Sequence, residues 1–309
     1  MHGNPWSIIL AGGEGRRLRE LTTTRAGVTV PKQFCSLNGG PSLLANTLQR
    51  AESVSKRERT VVVVSSRHER FWRDELRWLP SENVIVQPQA RGTGPGLLLP
   101  LLSVLERDPA AEVLVLPSDH HVDDERTLHG AFESAFDAVR DDPRQIVLLG
   151  VTPDAPDTQY GWIVPADGAA LARGASGIEL FVEKPDRETA RSLLARGALW
   201  SSFLFASHGL GLLAAFSRAQ SALVRAFAER PLEAVYRKIP SVDFSREVLE
   251  RVADRLGVVR VPPCGWSDLG TPDRIASVLG GRCARRPFGA PQLRSRVPIL
   301  AHALESLAH

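Results

Sequence analysis

The sequence predicts an α/β protein built on a mostly parallel, Rossmann-like sheet flanked by helices. Three observations lead there. Apolar runs such as Val61-Val62-Val63-Val64 and Val113-Leu114-Val115-Leu116 lack the alternation of a half-exposed strand, so both faces of each strand are expected to be covered. These runs alternate with amphipathic segments of helical period, the pattern of a parallel sheet wrapped by helices. The first run, Ile8-Ile9-Leu10, leads straight into the turn Ala11-Gly12-Gly13-Glu14-Gly15, and in such sheets ligands sit at the carboxyl ends of strands.

In chain order, strands are expected over 7–10, 60–64, 84–87, 112–116 and 145–150, with helices over 42–54, 68–78, 93–106 and 125–140 between them. After about residue 150 the pattern changes. Shorter strands are expected over 160–165, 178–182, 200–206 and 258–262, and helices over 187–196, 209–230 and 245–255. Residues 1–280 therefore read as one unit with halves of about 1–150 and 151–280, and 281–309 as a C-terminal arm or tail. The tail holds Arg282, Arg285, Arg286, Arg294 and Arg296; it either packs against a partner subunit in a homodimer or stays solvated.

Composition narrows the function. At 309 residues the chain can bury a substantial core, and its 43% hydrophobic and 24% charged residues are ordinary for a globular protein. A net charge of +3 with no basic face interleaved with aromatics gives no reason to expect nucleic acid as a partner. No apolar run approaches the length of a membrane span, and the chain enters a strand by about residue 7, leaving no expected signal peptide. Three widely spaced cysteines, Cys35, Cys264 and Cys283, suggest neither a disulfide framework nor a metal site, which fits a reducing cytoplasm. Basic residues are mostly arginine; the only lysines are Lys32, Lys56, Lys184 and Lys238, and two of them fall in motif-like stretches.

The glycine turn carries the first chemical reading. Glycines let backbone N–H groups crowd around an anion, and a helix starting just after them would add its positive end. Arg16, Arg17 and Lys32, in Pro31-Lys32-Gln33-Phe34, supply mobile positive charge. A polyphosphate needs this combination, although a tight strand-to-helix turn alone would also use glycine. The P-loop pattern is absent, and the third glycine of the dinucleotide fingerprint is missing.

Two acids follow apolar strands: Asp119 in Pro117-Ser118-Asp119-His120, and Asp268 in Gly265-Trp266-Ser267-Asp268-Leu269-Gly270. Together they could hold Mg²⁺, which prefers oxygen ligands and keeps several waters; either alone is as well read as a cap or turn residue. Glu183-Lys184-Pro185 ends another strand, and an exposed Glu–Lys pair at a turn is its plainer reading. Gly161 interrupts an apolar strand, which often marks close approach by a ligand. His120-His121 lack the Cys/His spacing of a zinc site.

Taken in order, these stretches resemble the sugar-1-phosphate nucleotidyltransferases, and among them the mannose-1-phosphate guanylyltransferases, from about Ile8 to Asp273. The resemblance implies the nucleotide-diphospho-sugar transferase fold, a nucleotide-binding half and a sugar-phosphate half. It implies that Leu10, Ala11, Gly12, Gly13, Gly15, Arg16, Gln87, Gly92, Thr93 and Ser118 bind the nucleotide. Arg17 and Lys32 are implied at the pyrophosphate and Lys184 at the sugar phosphate. Tyr160, Gly161, Glu183, Ser201 and Asp243 would surround the sugar, with a helix N-cap the other reading of Asp243. Asp119 and Asp268 would bind Mg²⁺ or Mn²⁺. The implied substrates are an NTP, GTP first, and a sugar 1-phosphate, mannose 1-phosphate first.

The chain departs from that pattern in places. Ser201 stands where asparagine is usual, Arg16 where threonine is frequent, and Gln87 and Gly92 replace an acid and an amide in the base-binding stretch. A Gln-Pro with a glycine further on also resembles the thymidylyl- and related transferases. A non-catalytic sensor of nucleotide sugars is the reading from another class; it should have lost phosphate or metal ligands, and Arg17, Lys32, Asp119, Lys184 and Asp268 are all present.

Overall fold

The computed structural model describes residues 5–24, 26–283 and 299–300, with the side chains of Arg16 and of 281–283 outside that description. Nine strands form one sheet: β1 (Trp6–Ala11), β2 (Thr60–Ser65), β3 (Val84–Gln87), β4 (Glu112–Pro117), β5 (Ile146–Val151), β6 (Gly161–Pro165), β7 (Ala175–Glu183), β8 (Leu199–His208) and β9 (Leu256–Val261). Their order is β3-β2-β1-β4-β8-β5-β9-β7-β6, and β6 also pairs with β8.

Strands β3, β2, β1 and β4 are parallel, as the apolar runs predict. Beyond β4 the expectation of a mostly parallel sheet needs correcting. β8 lies antiparallel to both β4 and β5, and β6 and β7 form an antiparallel hairpin; only β5 and β9 remain parallel. The physical reason is that β8 arrives from the hairpin half and inserts between two strands laid down earlier.

Successive strand residues go to opposite faces. Ile9, Val62, Val64, Leu114 and Leu116 pack under the helices Leu43–Glu52 and Glu125–Asp141. Ile8, Val61, Val113 and Val115 pack under the helices Thr93–Arg107 and Gly209–Ala219. Each of these strand side chains is fully buried, a gain of roughly 1.5–3 kcal/mol apiece. The double-sided burial explains why those runs are continuous rather than alternating. A third, smaller cluster of Tyr160, Trp162, Trp200, Ala190 and Leu193 underlies the second half.

Three expected helices are shorter than their periodicity suggests. Of 68–78, only Glu69–Trp72 is α-helical, because Trp72 Nε1 anchors to Ser65 O at 2.9 Å and the chain continues as turns to Leu79. The expected 209–230 helix breaks at Gln220 (φ −140°, ψ 50°), so that Phe216 and Leu223 both reach the same core. The expected 245–255 helix is a short turn of α-helix, Phe244–Glu247, followed by a 3₁₀ stretch, Leu249–Arg255.

β8 is bent at Phe203, whose φ of 60° is unusual for a non-glycine residue. The Ser202 hydroxyl donates to Leu149 O at 2.7 Å and accepts from Leu204 N at 3.2 Å, replacing ladder bonds at the bend. One end of β8 thereby pairs with β4 and the other with β6. Of the C-terminal arm, Ile299 bridges to Ser36, and Leu300 is fully buried with its N–H donating to Ser36 O at 2.9 Å. The arginine side chains of the arm lie outside the described residues.

Candidate functional site

β1 ends at Ala11 and the chain opens into the turn 12–15. A Cβ on Gly12 would fall 1.9 Å from Gln87 Nε2, so a side chain there would displace the amide at the end of β3. The helix expected after the turn is a 3₁₀ turn, Arg16–Leu18, and a four-residue α-helix, Arg19–Thr22. That is too short for a sizeable macrodipole, so anion binding there falls to the backbone N–H groups of the turn. Gln33, from the stretch that carries Lys32, donates to Ala11 O and Gly13 O, both at 2.9 Å, and braces the turn. Ser118 donates to Leu10 O at 2.7 Å and ties the ends of β1 and β4 together.

These ends line a cleft of about 560 Å³ that includes Leu10, Gly12, Gly13, Gly15, Gln87, Gly92, Thr93, Ser118 and Asp119. Gln87 is nearly buried and accepts from the Tyr236 hydroxyl at 3.4 Å. Thr93 opens a 15-residue helix, and its hydroxyl accepts from Phe244 N at 2.8 Å. Arg16 has its backbone in this region and its side chain outside the described set.

A second cleft of about 130 Å³ adjoins the first through His120 and Phe203. Arg17, Tyr160, Gly161, Glu183, Lys184, Ser201 and Asp268 line it. Arg17 thus faces the smaller cleft, where its Nη1 donates to Gln159 Oε1 at 3.3 Å. Glu183 is held up in pKa by burial, which the adjacent Lys184 ammonium at 2.5 Å only partly offsets. A Cβ on Gly161 would fall 2.7 Å from Glu183 Oε2, so a side chain at that position would displace the carboxylate. Asp243 caps the helix Phe244–Glu247, accepting from Arg246 N at 3.2 Å. Its neighbours Ser241 and Ser245, not Asp243 itself, line the clefts.

Lys32, nearly buried, joins the carboxylate of Asp119 to the backbone of the Asp268 loop. Its Nζ lies 2.9 Å from Asp119 Oδ2 and donates to the backbone oxygens of Asp268 at 2.5 Å and Leu269 at 3.3 Å. The supporting loops are joined by a two-bond ladder, His121 N to Ser267 O at 2.8 Å and Ser267 N to His121 O at 2.9 Å. Asp119 faces the larger cleft and Asp268 the smaller. Burial works against ionisation of Asp119, yet Lys32 more than compensates and holds its carboxyl below the usual range. Burial likewise opposes Asp268, and Arg274 tips the balance downward. Both are therefore carboxylates at neutral pH. His120, between the clefts, is pushed down to about 4 by burial, against the pull of Asp119, and stays neutral; its Nδ1 accepts from Trp266 Nε1 at 3.3 Å.

Asp268 Oδ1 accepts from Tyr160 Oη at 3.0 Å, Arg274 Nη1 at 2.7 Å and Gly270 N at 3.0 Å. The guanidinium of Arg274 also lies 4.0 Å over the Tyr160 ring and bonds Asp157. Sequence reasoning missed Arg274, Asp157 and Gln159, since nothing in their local spacing marks them, and it gave no role to Gln33 within Pro31-Lys32-Gln33-Phe34. Among the described residues, three non-glycine residues have positive φ, Lys184 (48°), Phe203 (60°) and Leu269 (48°). Lys184 and Phe203 line the smaller cleft and Leu269 follows Asp268. Such backbone strain costs of order 1–3 kcal/mol per residue and gathers at functional sites.

The chain matches the family model described as "Nucleotidyl transferase" over residues 6–280. It is 32% identical over 294 residues to the mannose-1-phosphate guanylyltransferase of Escherichia coli (strain K12), covering 86% of this chain and 58% of that protein. It is 32% identical over 280 residues to the xanthan biosynthesis protein XanB of Xanthomonas campestris pv. campestris (strain B100), covering 85% of this chain and 57% of that protein. The chain thus spans less than three-fifths of the length of these curated relatives. A solved structure from Thermus thermophilus, described as a mannose-1-phosphate geranyltransferase, superposes with a TM-score of 0.78 at 29% identity over 90% of this chain and 79% of that one. A UDP-glucose pyrophosphorylase complexed with UDP-glucose superposes with a TM-score of 0.60 at 15% identity over 92% of this chain and 100% of that one, a likeness of fold alone.

Proposed function

Because the chain belongs to the nucleotidyl transferase family, we propose that it transfers a nucleotidyl group from an NTP to a sugar 1-phosphate, releasing pyrophosphate. GTP and mannose 1-phosphate are the substrates proposed first, on the similarity to guanylyltransferases. The observation that carries the reading is that Lys32, buried behind the clefts, holds Asp119 of the larger cleft and the backbone of Asp268 of the smaller one.

In this reading the larger cleft takes the nucleotide, with the N–H groups of 12–15 on its phosphates and Gln87 at the base. The smaller cleft takes the sugar phosphate, with Arg17 and Lys184 on its charge and Glu183 and Ser201 at hydroxyls. A phosphate oxygen of the sugar phosphate attacks the α-phosphorus in line, and the bond to the β-phosphate oxygen breaks. The nucleophile is already anionic, so no side-chain base is required. Catalysis is then positioning and charge neutralisation, with Arg17, Lys32 and Lys184 offsetting repulsion between the two anions.

The donor set suits a hard cation. Asp119 and Asp268 are both ionised carboxylates. Among the described residues no three or more His, Cys, Asp or Glu side chains form a metal-binding group. A pair of carboxylates that leaves the remaining positions to water and phosphate oxygens matches Mg²⁺ or Mn²⁺ rather than a closed structural site. Bound there, the cation would supply charge neutralisation at the α-phosphate.

The direct test is a matrix of four NTPs against several sugar 1-phosphates, read by pyrophosphate release. Release restricted to one base and one sugar identifies the substrates. Release with another base places the chain among the thymidylyl or uridylyl enzymes. Binding without release with any pair supports the non-catalytic sensor and overturns the enzyme.

A further inference from the structure

Arg274, on the helix Pro272–Cys283, lines neither cleft, yet it holds three groups that shape the smaller one. Its Nη1 donates to Asp268 Oδ1 at 2.7 Å, its Nη2 donates to Asp157, and its guanidinium lies 4.0 Å over the Tyr160 ring. A planar fork can hold two carboxylates and a ring face at once, which a compact ammonium cannot. Each held group leads into the cleft. Asp268 Oδ1 also accepts from Tyr160 Oη and Gly270 N, both at 3.0 Å, so three donors converge on one oxygen. Among the described residues the other oxygen, Oδ2, accepts no hydrogen bond. Tyr160 and Asp268 line the cleft themselves. Asp157 Oδ1 accepts from Gln159 N at 2.7 Å, and Gln159 Oε1 accepts from Arg17, another residue of that wall.

We propose that Arg274 is a positioning residue for the smaller cleft. By occupying Oδ1 of Asp268 it leaves Oδ2 to serve a divalent cation, and by holding Asp157 and Tyr160 it sets the segment 157–160 that flanks the sugar phosphate. The inference rests on the cation site proposed above for Asp119 and Asp268. Hydrogen bonds from outside fix the orientation of a ligating carboxylate, and loss of such a partner costs about 10–100-fold in metal affinity.

The test uses Arg274→Lys, which keeps a positive charge beside Asp268 and removes the fork. Charge repulsion toward the cation is thereby held constant and orientation alone is changed. Mn²⁺ is titrated into the full chain without substrates and the free ion is read by electron paramagnetic resonance, with Asp268→Asn identifying the ion bound at the site. The expected result is binding that Asp268→Asn removes and that Arg274→Lys weakens about tenfold. In steady-state kinetics Arg274→Lys should raise KM for the sugar phosphate and leave KM for the nucleotide unchanged. A purely structural arginine would lower the urea midpoint without moving the Mn²⁺ affinity of the folded protein. Native or tighter affinity in Arg274→Lys therefore overturns the positioning role, while pyrophosphate release by the native protein leaves the proposed reaction standing. Native binding that Asp268→Asn does not reduce overturns the cation site and this inference together. If Arg274→Lys loses the native far-UV circular dichroism, Asp157→Ala carries the test, since it frees the guanidinium from its second anchor and leaves both acids in place. Weakened Mn²⁺ affinity is expected there as well, and native affinity overturns the proposal.

Discussion

Lys32 and Asp119 form a 2.9 Å ion pair, the lysine buried and the aspartate in the wall of the larger cleft. The same ammonium is anchored on the backbone of Asp268 and Leu269. One lysine therefore fixes the spacing of two acids that are 149 positions apart in the chain (268 − 119). Lys32→Met is expected to lower kcat/KM about 10²–10³-fold. It should also move the acid limb of the pH–rate profile upward, because Lys32 is what holds Asp119 below the ordinary carboxylate range. An acid limb unmoved by the substitution would count against this role.

Asp119 lies two residues past β4, half-buried against Lys32 and His120. Asp119→Ala should keep the far-UV circular dichroism of the native protein and lose turnover about 10²–10³-fold. Excess chelator should abolish turnover of the native protein, with recovery on adding Mg²⁺ or Mn²⁺. Undiminished pyrophosphate release in chelator would exclude the metal role of the two acids.

Arg274 bonds both Asp268 and Asp157 while lying mostly buried beside Tyr160. Arg274→Met leaves two carboxylates without their partner and should cost about 3 kcal/mol in urea unfolding at neutral pH. The sign of the pH dependence follows from the depressed carboxyl of Asp268. Its contribution to stability is full above the unfolded value near 4 and is lost as pH falls through the lower folded value. The native protein should therefore lose this stability in acid below about pH 4, and the variant should lack that component of the acid loss.

Gly161→Ala would push Glu183 away, since the new methyl would sit 2.7 Å from Glu183 Oε2. Glu183 in turn holds Lys184. The expected outcome is a higher KM for the sugar phosphate with the KM for the nucleotide unchanged, read in steady-state kinetics. A change confined to the nucleotide would contradict the assignment of the smaller cleft.

Gln87 stands in the larger cleft with its amide oxygen on Tyr236. Gln87→Glu offers a carboxylate that accepts from the N1 and N2 donors of guanine and has no donor for a thymine carbonyl. The ratio of kcat/KM for GTP over dTTP should rise roughly tenfold, the worth of one charge-assisted hydrogen bond. An unchanged ratio would place base selection elsewhere.

The parallel half of the sheet was legible because strands buried on both faces leave continuous apolar runs, as at Val61–Val64, and because Asp119 and Lys184 directly follow or end strands. The antiparallel insertion of β8 was not legible, since it depends on pairing with β4 and β5, laid down some fifty to ninety positions earlier. Arg274 was hidden for a related reason. Its partner Asp157 is 117 positions away, and nothing in the Pro272–Cys283 helix distinguishes it from a solvated arginine. The bend at Phe203 was equally silent, because φ there is set by the strands on either side rather than by a glycine.

A strand sewn at one end to the glycine-turn half and at the other to the hairpin half, as β8 is, denies the molecule a hinge. Swinging the halves apart would tear the ladder that joins them. Any change of shape on binding is accordingly left to the short rim segments around residues 12–15 and 157–161, while the middle of the sheet stays still.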